Sequence, residues 1–308
     1  MLLTLKAPGG QCRDNQAKAT IRTTMTNINK PVISQVTVID LVPFGQRREE
    51  GNQYALRLSN PEWSDWKPGQ FVMIRKPGAD VSPLLARPLS ICRVSPTGLI
   101  LFFQEVGRMT TQLAKVQPGD IFDIWGPLGN SFAVEPQTPT LLLAGGIGVA
   151  PFVGYVEEHP AAWNVSMEFG HRLPVDCYPL QSLNQKIAVE SFHEQTPADL
   201  PKFIAHLENR MARHAEEVAD PSNKSGKGLV LACGPTPFLR TVQQLAKKYT
   251  LRTQISLENR MACGIGACLG CVAKRAPKEG TPDAVLQGPA FVQSCTHGPC
   301  FWSEDIVI

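Results

Sequence analysis

A chain of 308 residues, 43% hydrophobic and 19% charged, has material for two ordinary domains and a small third. Its net charge of +3 is too mild for a nucleic-acid partner, and no apolar stretch approaches the ~20 residues that span a bilayer. Nine cysteines are too few for a disulfide scaffold at this length, and three crowd too closely to pair, so a reducing, cytoplasmic setting is expected.

Residues 1–30 set Lys6, Arg13, Lys18, Arg22 and Lys30 against Asp14 with little apolar periodicity, and read as a disordered tail, with Met25 as a second candidate start. From Pro31 to residue 134 the text reads as short strands between turns: Val36–Leu41, Tyr54–Leu58, Phe71–Ile74, Leu89–Val94, Leu99–Phe103 and Ile121–Trp125. That rhythm predicts a small antiparallel barrel or sandwich. A helix is expected over Gln112–Val116.

At Thr140 the character changes. Thr140–Ala144 is continuously apolar, as a strand buried on both faces would be. Further strands are expected at Val165–Gly170, Lys186–Glu190 and Gly228–Ala232. A helix is expected over Leu200–Ala215, with Leu200, Phe203, Ile204, Leu207 and Met211 on its apolar face. A second follows Gly234-Pro-Thr-Pro237 through Leu239, Val242 and Leu245, and Pro221–Gly228 reads as a surface loop. Strands alternating with helices over 135–250 indicate an open α/β sheet. Residues 251–308 form a small cysteine-bearing module. The expected fold class is therefore a multidomain α+β chain: antiparallel barrel, parallel α/β domain and C-terminal metal module.

The module carries the sharpest signal. Cys263, Cys268 and Cys271 follow the spacing C-x4-C-x2-C, with Cys295 downstream, which is the ligand pattern of a plant-type [2Fe–2S] site. Gly264, Gly266 and Gly270 let such a loop wrap closely. A structural zinc site is the competing reading, although zinc thiols usually come as separated pairs. Cys300 competes with Cys295 as fourth ligand, and Cys295 is preferred.

Two more segments point to anionic cofactors. Arg87-Pro88-Leu89-Ser90 opens a strand, and the arginine offers a planar fork to a phosphate. Gly107-Arg-Met109-Thr110 precedes the expected helix and suits a phosphate cradle. Gly145-Gly146-Ile-Gly148 lies between a strand and a helix, where a pyrophosphate can approach the backbone; it is not the G-x-G-x-x-G fingerprint. Cys233-Gly234-Pro235 repeats that geometry, with Cys233 equally readable as a small buried hydrophobe. His171, His193 and His206 are scattered without metal spacing, His297 reads as a surface residue, and no paired carboxylate site is legible.

Together these residues resemble the ferredoxin reductase superfamily. Glu258, Met261 through Cys271, and Cys295 followed by Gly298-Pro299 and Phe301 resemble more closely the electron-transfer subunits of NAD-dependent dihydroorotate dehydrogenase. The resemblance covers about residues 33–305. It implies a flavin-binding barrel, a nucleotide-binding domain and a [2Fe–2S] module. It implies FAD contacts from Arg87, Pro88, Leu89 and Ser90, completed by Phe102, Phe103, Gln104, Met109 and Thr110. It also implies an NAD site at Gly145, Gly146, Gly148, Cys233, Gly234 and Pro235, with NADP left open. The implied partner is an FMN-containing dihydroorotate dehydrogenase catalytic subunit in a heterotetramer. Nothing in the chain is left over for an eight-stranded barrel of ~250 residues, so the orotate site is expected on that partner.

Three departures stand out. The family's acidic, glycine-containing loop has no recognisable counterpart where Ser191–Pro197 and the long helix stand. The chain is longer than typical members, and Cys300 replaces an apolar residue. Competing readings are a reductase subunit serving a hydrogenase, a transhydrogenase or another oxidoreductase, and a non-enzymatic zinc-stabilised adaptor. A fused plant-type ferredoxin domain is disfavoured, because too few residues separate Pro235 from Cys263.

Overall fold

The structure, a computed structural model, describes residues 32–308 apart from 50, 64, 79–81, 221–226 and 278–289. The expected tail and most of the Pro221–Gly228 loop lie outside the described residues.

The first strands are β1 (Val32–Phe44), β2 (Gln53–Leu58), β3 (Phe71–Arg75), β4 (Arg87–Ser95) and β5 (Gly98–Gln104). After the short helix α1 (Arg108–Leu113), β6 (Ile121–Leu128) completes a closed barrel in the order β1-β2-β5-β4-β3-β6. Period-two alternation builds it: Leu56, Leu58, Leu99, Leu101 and Phe103 point inward and are at most 1% exposed. Phe102, on the opposite face of β5, is buried too, because it meets Phe44 edge-on at 5.2 Å and packs into the neighbouring domain's core.

Helix α1 differs from the sequence reading, starting four residues earlier and stopping at Leu113. Thr110 explains the early start. Its hydroxyl accepts the N–H groups of Val106 and Gly107, at 2.9 and 3.0 Å, and folds the preceding loop into the helix. It ends as the chain tightens, the N–H groups of Lys115 and Val116 donating three residues back to the carbonyls of Gln112 and Leu113 at 3.1 and 3.4 Å.

The second layer system runs through β7 (Thr140–Gly145), α2 (Ala150–Glu158), β8 (Val165–His171), α3 (Leu180–Asn184), β9 (Ala188–His193), α4 (Leu200–Ala219), β10 (Leu229–Cys233), α5 (Thr236–Lys248) and β11 (Thr253–Ser256). Strand β7 is buried throughout because both its faces are covered. Leu142 and Ala144 pack with Phe152 and Tyr155 of α2, whereas Leu141 and Leu143 pack with Leu207 and Met211 of α4 and Val242 of α5. The reading of β9 was displaced, since this edge strand is mostly exposed and carries little apolar signal. The apolar face of α4 is also displaced. Leu200 and Ile204 are exposed, and Leu207, Arg210, Met211 and His214 are the buried residues.

The third part holds β12 (Val272–Arg275), β13 (Phe291–Gln293), α6 (Ser294–His297), β14 (Cys300–Trp302) and β15 (Ile306–Val307). Strands β13, β12 and β15 make a small antiparallel sheet, but β14 joins the large one, whose order is β14-β11-β10-β7-β8-β9. It pairs antiparallel with β11, Gln254 opposite Trp302 and Ser256 opposite Cys300. A boundary at residue 251 therefore crosses the sheet. The fold class is the expected one: a closed antiparallel barrel, a mostly parallel α/β sheet and a cysteine-bearing C-terminal part. Residues 31–308 form one compact unit.

Candidate functional site

The cysteine loop lies between β11 and β12 and is pressed onto the barrel. Met261, Cys271 and Cys295 share a core with Phe71, Met73 and Leu128. Gly264 and Gly266 adopt φ of +72° and +82°, which a side chain rarely takes. A Cβ on Gly264 would also sit 2.5 Å from Met73 Cγ, so the loop touches the barrel only because it has none.

This folding brings the four sequence-predicted thiols together as two pairs. Cys268 faces Cys263, and Cys295 faces Cys271. Backbone N–H groups turn toward the sulfurs: Ile265 and Cys268 donate to Cys263 Sγ at 3.5 and 3.4 Å, and Cys295 donates to Cys271 Sγ at 3.4 Å. The N–H of Gly270, then Cys263, holds the exposed Cys268 thiol down to about 7. Burial, with Cys271 beside it, pushes Cys295 up to about 12.

Among the described residues no three thiol sulfurs lie within 4.8 Å of one another. Four thiolates on one zinc at ~2.3 Å would sit only ~3.8 Å apart. Two thiolates per iron, with inward-facing amides to offset negative charge, suit a two-iron centre better. Cys300 is not among them. It is wholly buried near Gly69 and Ser256, where burial keeps its thiol protonated.

Beside this loop a cleft of about 1050 Å³ opens between barrel and sheet. Arg87, Pro88, Leu89 and Ser90 line one wall, with Gln104 and Thr110. The Arg87 guanidinium donates to the carbonyls of Leu85 and Ala86 at 2.9 and 3.1 Å. Held by carbonyl oxygens rather than a carboxylate, its charge stays available to an anion. Phe102, Phe103 and Met109 also border the cleft but are at most 3% exposed, their side chains committed to packing. The Thr110 hydroxyl and the Gly107 N–H are spent on each other, so that N–H is not free for a phosphate.

The opposite wall is the switch point of the sheet. From β7 the chain runs outward through β8 and β9, then returns to place β10 and β11 on the other side. The loops after β7 and β10 therefore meet at the carboxyl ends, where such sheets bind ligands. Gly145, Gly146, Gly148, Cys233 and Pro235 all line the cleft, and Gly234 joins the last two. A Cβ on Gly148 would lie 2.2 Å from the Cys233 carbonyl oxygen, so only glycine permits this approach. Burial raises the Cys233 thiol well above its ordinary value, which makes it a neutral wall and not a nucleophile. Gly270 of the cysteine loop lines the same cleft. One cavity thus touches the barrel wall, the switch-point loops and the cysteine loop, although none of the four thiols lines it.

Several positioning residues were not legible in the sequence. Trp125 Nε1 donates to the Cys263 carbonyl at 2.8 Å. Asn130 clasps the C-terminal segment, its amide donating to His297 O at 3.1 Å and Cys300 O at 2.7 Å while its oxygen accepts the Cys300 N–H at 2.9 Å. Asn259 donates to Ser294 Oγ at 2.7 Å. Glu258 lies in the cleft, accessible from it yet ringed by protein, and desolvation raises its carboxyl above the ordinary value. Glu258 was visible only as part of the family-like run before Cys263. The asparagines carried no local signal.

A closed barrel joined to a switch-point sheet, with the paired-thiol loop bordering the cleft between them through Gly270, defines an iron–sulfur flavoprotein oxidoreductase subunit of the ferredoxin reductase fold. Residues 258–307 match the family model described as the iron-sulfur cluster binding domain of dihydroorotate dehydrogenase B. The dihydroorotate dehydrogenase B (NAD(+)) electron transfer subunit of Caldanaerobacter subterraneus subsp. tengcongensis is 30% identical, with 80% of this chain and 90% of the relative covered. That of Geobacillus kaustophilus is 32% identical, with 85% and 96% covered. Among solved structures, NADH-dependent reduced ferredoxin-NADP oxidoreductase matches with a TM-score of 0.68 at 19% identity, covering 88% of this chain and 89% of that one. The chain belongs to the family of dihydroorotate dehydrogenase B electron transfer subunits, which bears out the resemblance read from its residues. An electron transfer subunit works with a catalytic partner. Among the described residues no helix is long and apolar enough to cross a membrane.

Proposed function

We propose that this chain relays electrons from an FMN-containing catalytic subunit, which oxidises dihydroorotate to orotate, to NAD, within a cytoplasmic heterotetramer. The observation that carries this reading is the single cleft bordered by Arg87–Ser90, by the loops after β7 and β10, and by Gly270. Cofactors held at those three borders would be neighbours, as a relay requires.

Bound there, FAD supplies two-electron hydride exchange with nicotinamide and one-electron exchange with the cluster. The protein's part is to hold and space them. Cys263 and Cys268 would take one iron, Cys271 and Cys295 the other. Arg87 supplies a cation for the FAD pyrophosphate, while Pro88, Leu89 and Ser90 form the wall beside it. The glycines at 145, 146 and 148 and the Cys233–Pro235 turn let a nicotinamide nucleotide approach the backbone. The barrel at 31–134, the sheet at 135–250 and the module at 251–308 would each hold one cofactor, with β11 and β14 tying the last two together. Ile265 and Leu269, at 49% and 66% exposure on the cysteine loop, offer an apolar landing for the partner.

Coexpression with a dihydroorotate-oxidising barrel subunit and assay of dihydroorotate-dependent NAD+ reduction tests this. The expected result is a stable complex whose NAD+ reduction requires this chain. A flavin- and iron-loaded chain that neither binds such a subunit nor supports that reduction would overturn it.

A further inference from the structure

On the α4 side of the sheet, away from the cleft, lies a second cluster of donors. Glu168 and Glu190 are register partners on the parallel strands β8 and β9, so both carboxylates project from one face. His206 reaches them from α4, its Nε2 2.8 Å from Glu168 Oε2. One donor atom from each of the three lies within 4.8 Å of the others.

Two features make a plain ion pair an incomplete account. Glu168 is 3% exposed, and its Oε1 has no hydrogen-bond partner, an expensive state for a buried carboxylate oxygen. Like charges at directly paired strand positions also repel. Two arginines lie near without closing the cluster. Arg210 donates to Ser166 Oγ at 2.9 Å and lies 3.5 Å from Glu217, its Nη1 making no hydrogen bond to Glu168 Oε1, and Arg213 makes only a loose, exposed contact with Glu190 at 3.7 Å. A divalent cation would satisfy the orphan oxygen and neutralise both carboxylates together.

We propose that Glu168, Glu190 and His206 form a binding site for a divalent transition-metal cation of the zinc class, tying β8 and β9 to α4. One imidazole nitrogen and two carboxylate oxygens are a three-ligand set that leaves a position for water. Metal binding at His206 Nε2 replaces the His206–Glu168 hydrogen bond, and the neutral imidazole carries its one proton on Nδ1. The role is positional. One turn before His206, Phe203 covers Gly170 and stacks on Phe238 at 6.1 Å, and Phe238 packs against Gly145 and Gly234 at the cleft. Occupancy would therefore set the helix that backs the nucleotide loops. The helical spacing of α4 could not reveal this site, because two of the three ligands come from strands.

The test is an anaerobic zinc chloride titration of the full chain carrying iron and flavin, both quantified before and after. The wild type should bind one added zinc per chain with iron content unchanged. His206→Gln and the exposed Glu190→Gln should each weaken that binding at least tenfold while retaining flavin. If His206→Gln is poorly folded, Glu190→Gln decides alone. Equal zinc binding by wild type and Glu190→Gln, or none by either, would overturn the site.

Discussion

Asn130→Ala probes how the cysteine-bearing segment is fastened to the barrel. The side chain contributes three hydrogen bonds, at 3.1, 2.7 and 2.9 Å, to His297 and Cys300. Taken at the low end for a residue partly open to water, each is worth about 0.5–1 kcal/mol net, or about 2 kcal/mol together. For a protein of this size that lowers Tm by roughly 3 °C. The loss is local as well as global, because Asn130 bonds the stretch that directly follows Cys295. Amide exchange over residues 294–302 should therefore accelerate more than exchange in β7 or β10, and iron should be lost faster in air. The backbone bond from Asn130 N to Gly298 O, at 2.6 Å, remains in the variant and keeps the segment near its place. A Tm within about 1 °C of wild type, with unchanged exchange at 294–302, would refute this account of how the module is held.

Three further outcomes are expected. Cys268→Ser should abolish cluster absorbance and leave flavin bound, since Cys268 is exposed and does not border the cleft; loss of flavin along with iron would contradict separate sites. Arg87→Ala should weaken FAD retention at least tenfold, measured by flavin content after gel filtration, and full retention would refute its role as the pyrophosphate cation. Glu135→Gln removes a bidentate pair with Arg252, at 2.8 and 3.1 Å, and should cost about 1 kcal/mol at neutral pH. The Arg252 hydrogen bond holds the Glu135 carboxyl below its ordinary 4.5, so its stabilisation is present above that value and fades as pH falls through the lowered one. Denaturant curves for wild type and variant should converge on acidification, and a constant gap from pH 7 to 3 would exclude the pair as its source.

Much of this molecule is determined locally. The strand rhythm of 31–134, the apolar run at Thr140–Ala144 and the glycines at 145–148 each specify an element within a few residues, because side-chain alternation, burial on two faces and steric freedom are local properties. The cysteine spacing is local too: three thiols within nine residues are confined to one small volume. Contacts across the chain decided the rest. That Cys295 and not Cys300 faces Cys271 follows from β14 joining the large sheet, which buries Cys300 beside Ser256. The grip of Asn130 spans 170 residues, and Glu168, Glu190 and His206 meet only because two parallel strands and a crossing helix bring them together. Local chemistry selects the elements, but pairing energy accrues only when distant strands and loops close in register. For that reason the thiols proposed as ligands were readable from the sequence, whereas their enclosure, and the cleft between barrel, switch point and cysteine loop, emerged only in three dimensions.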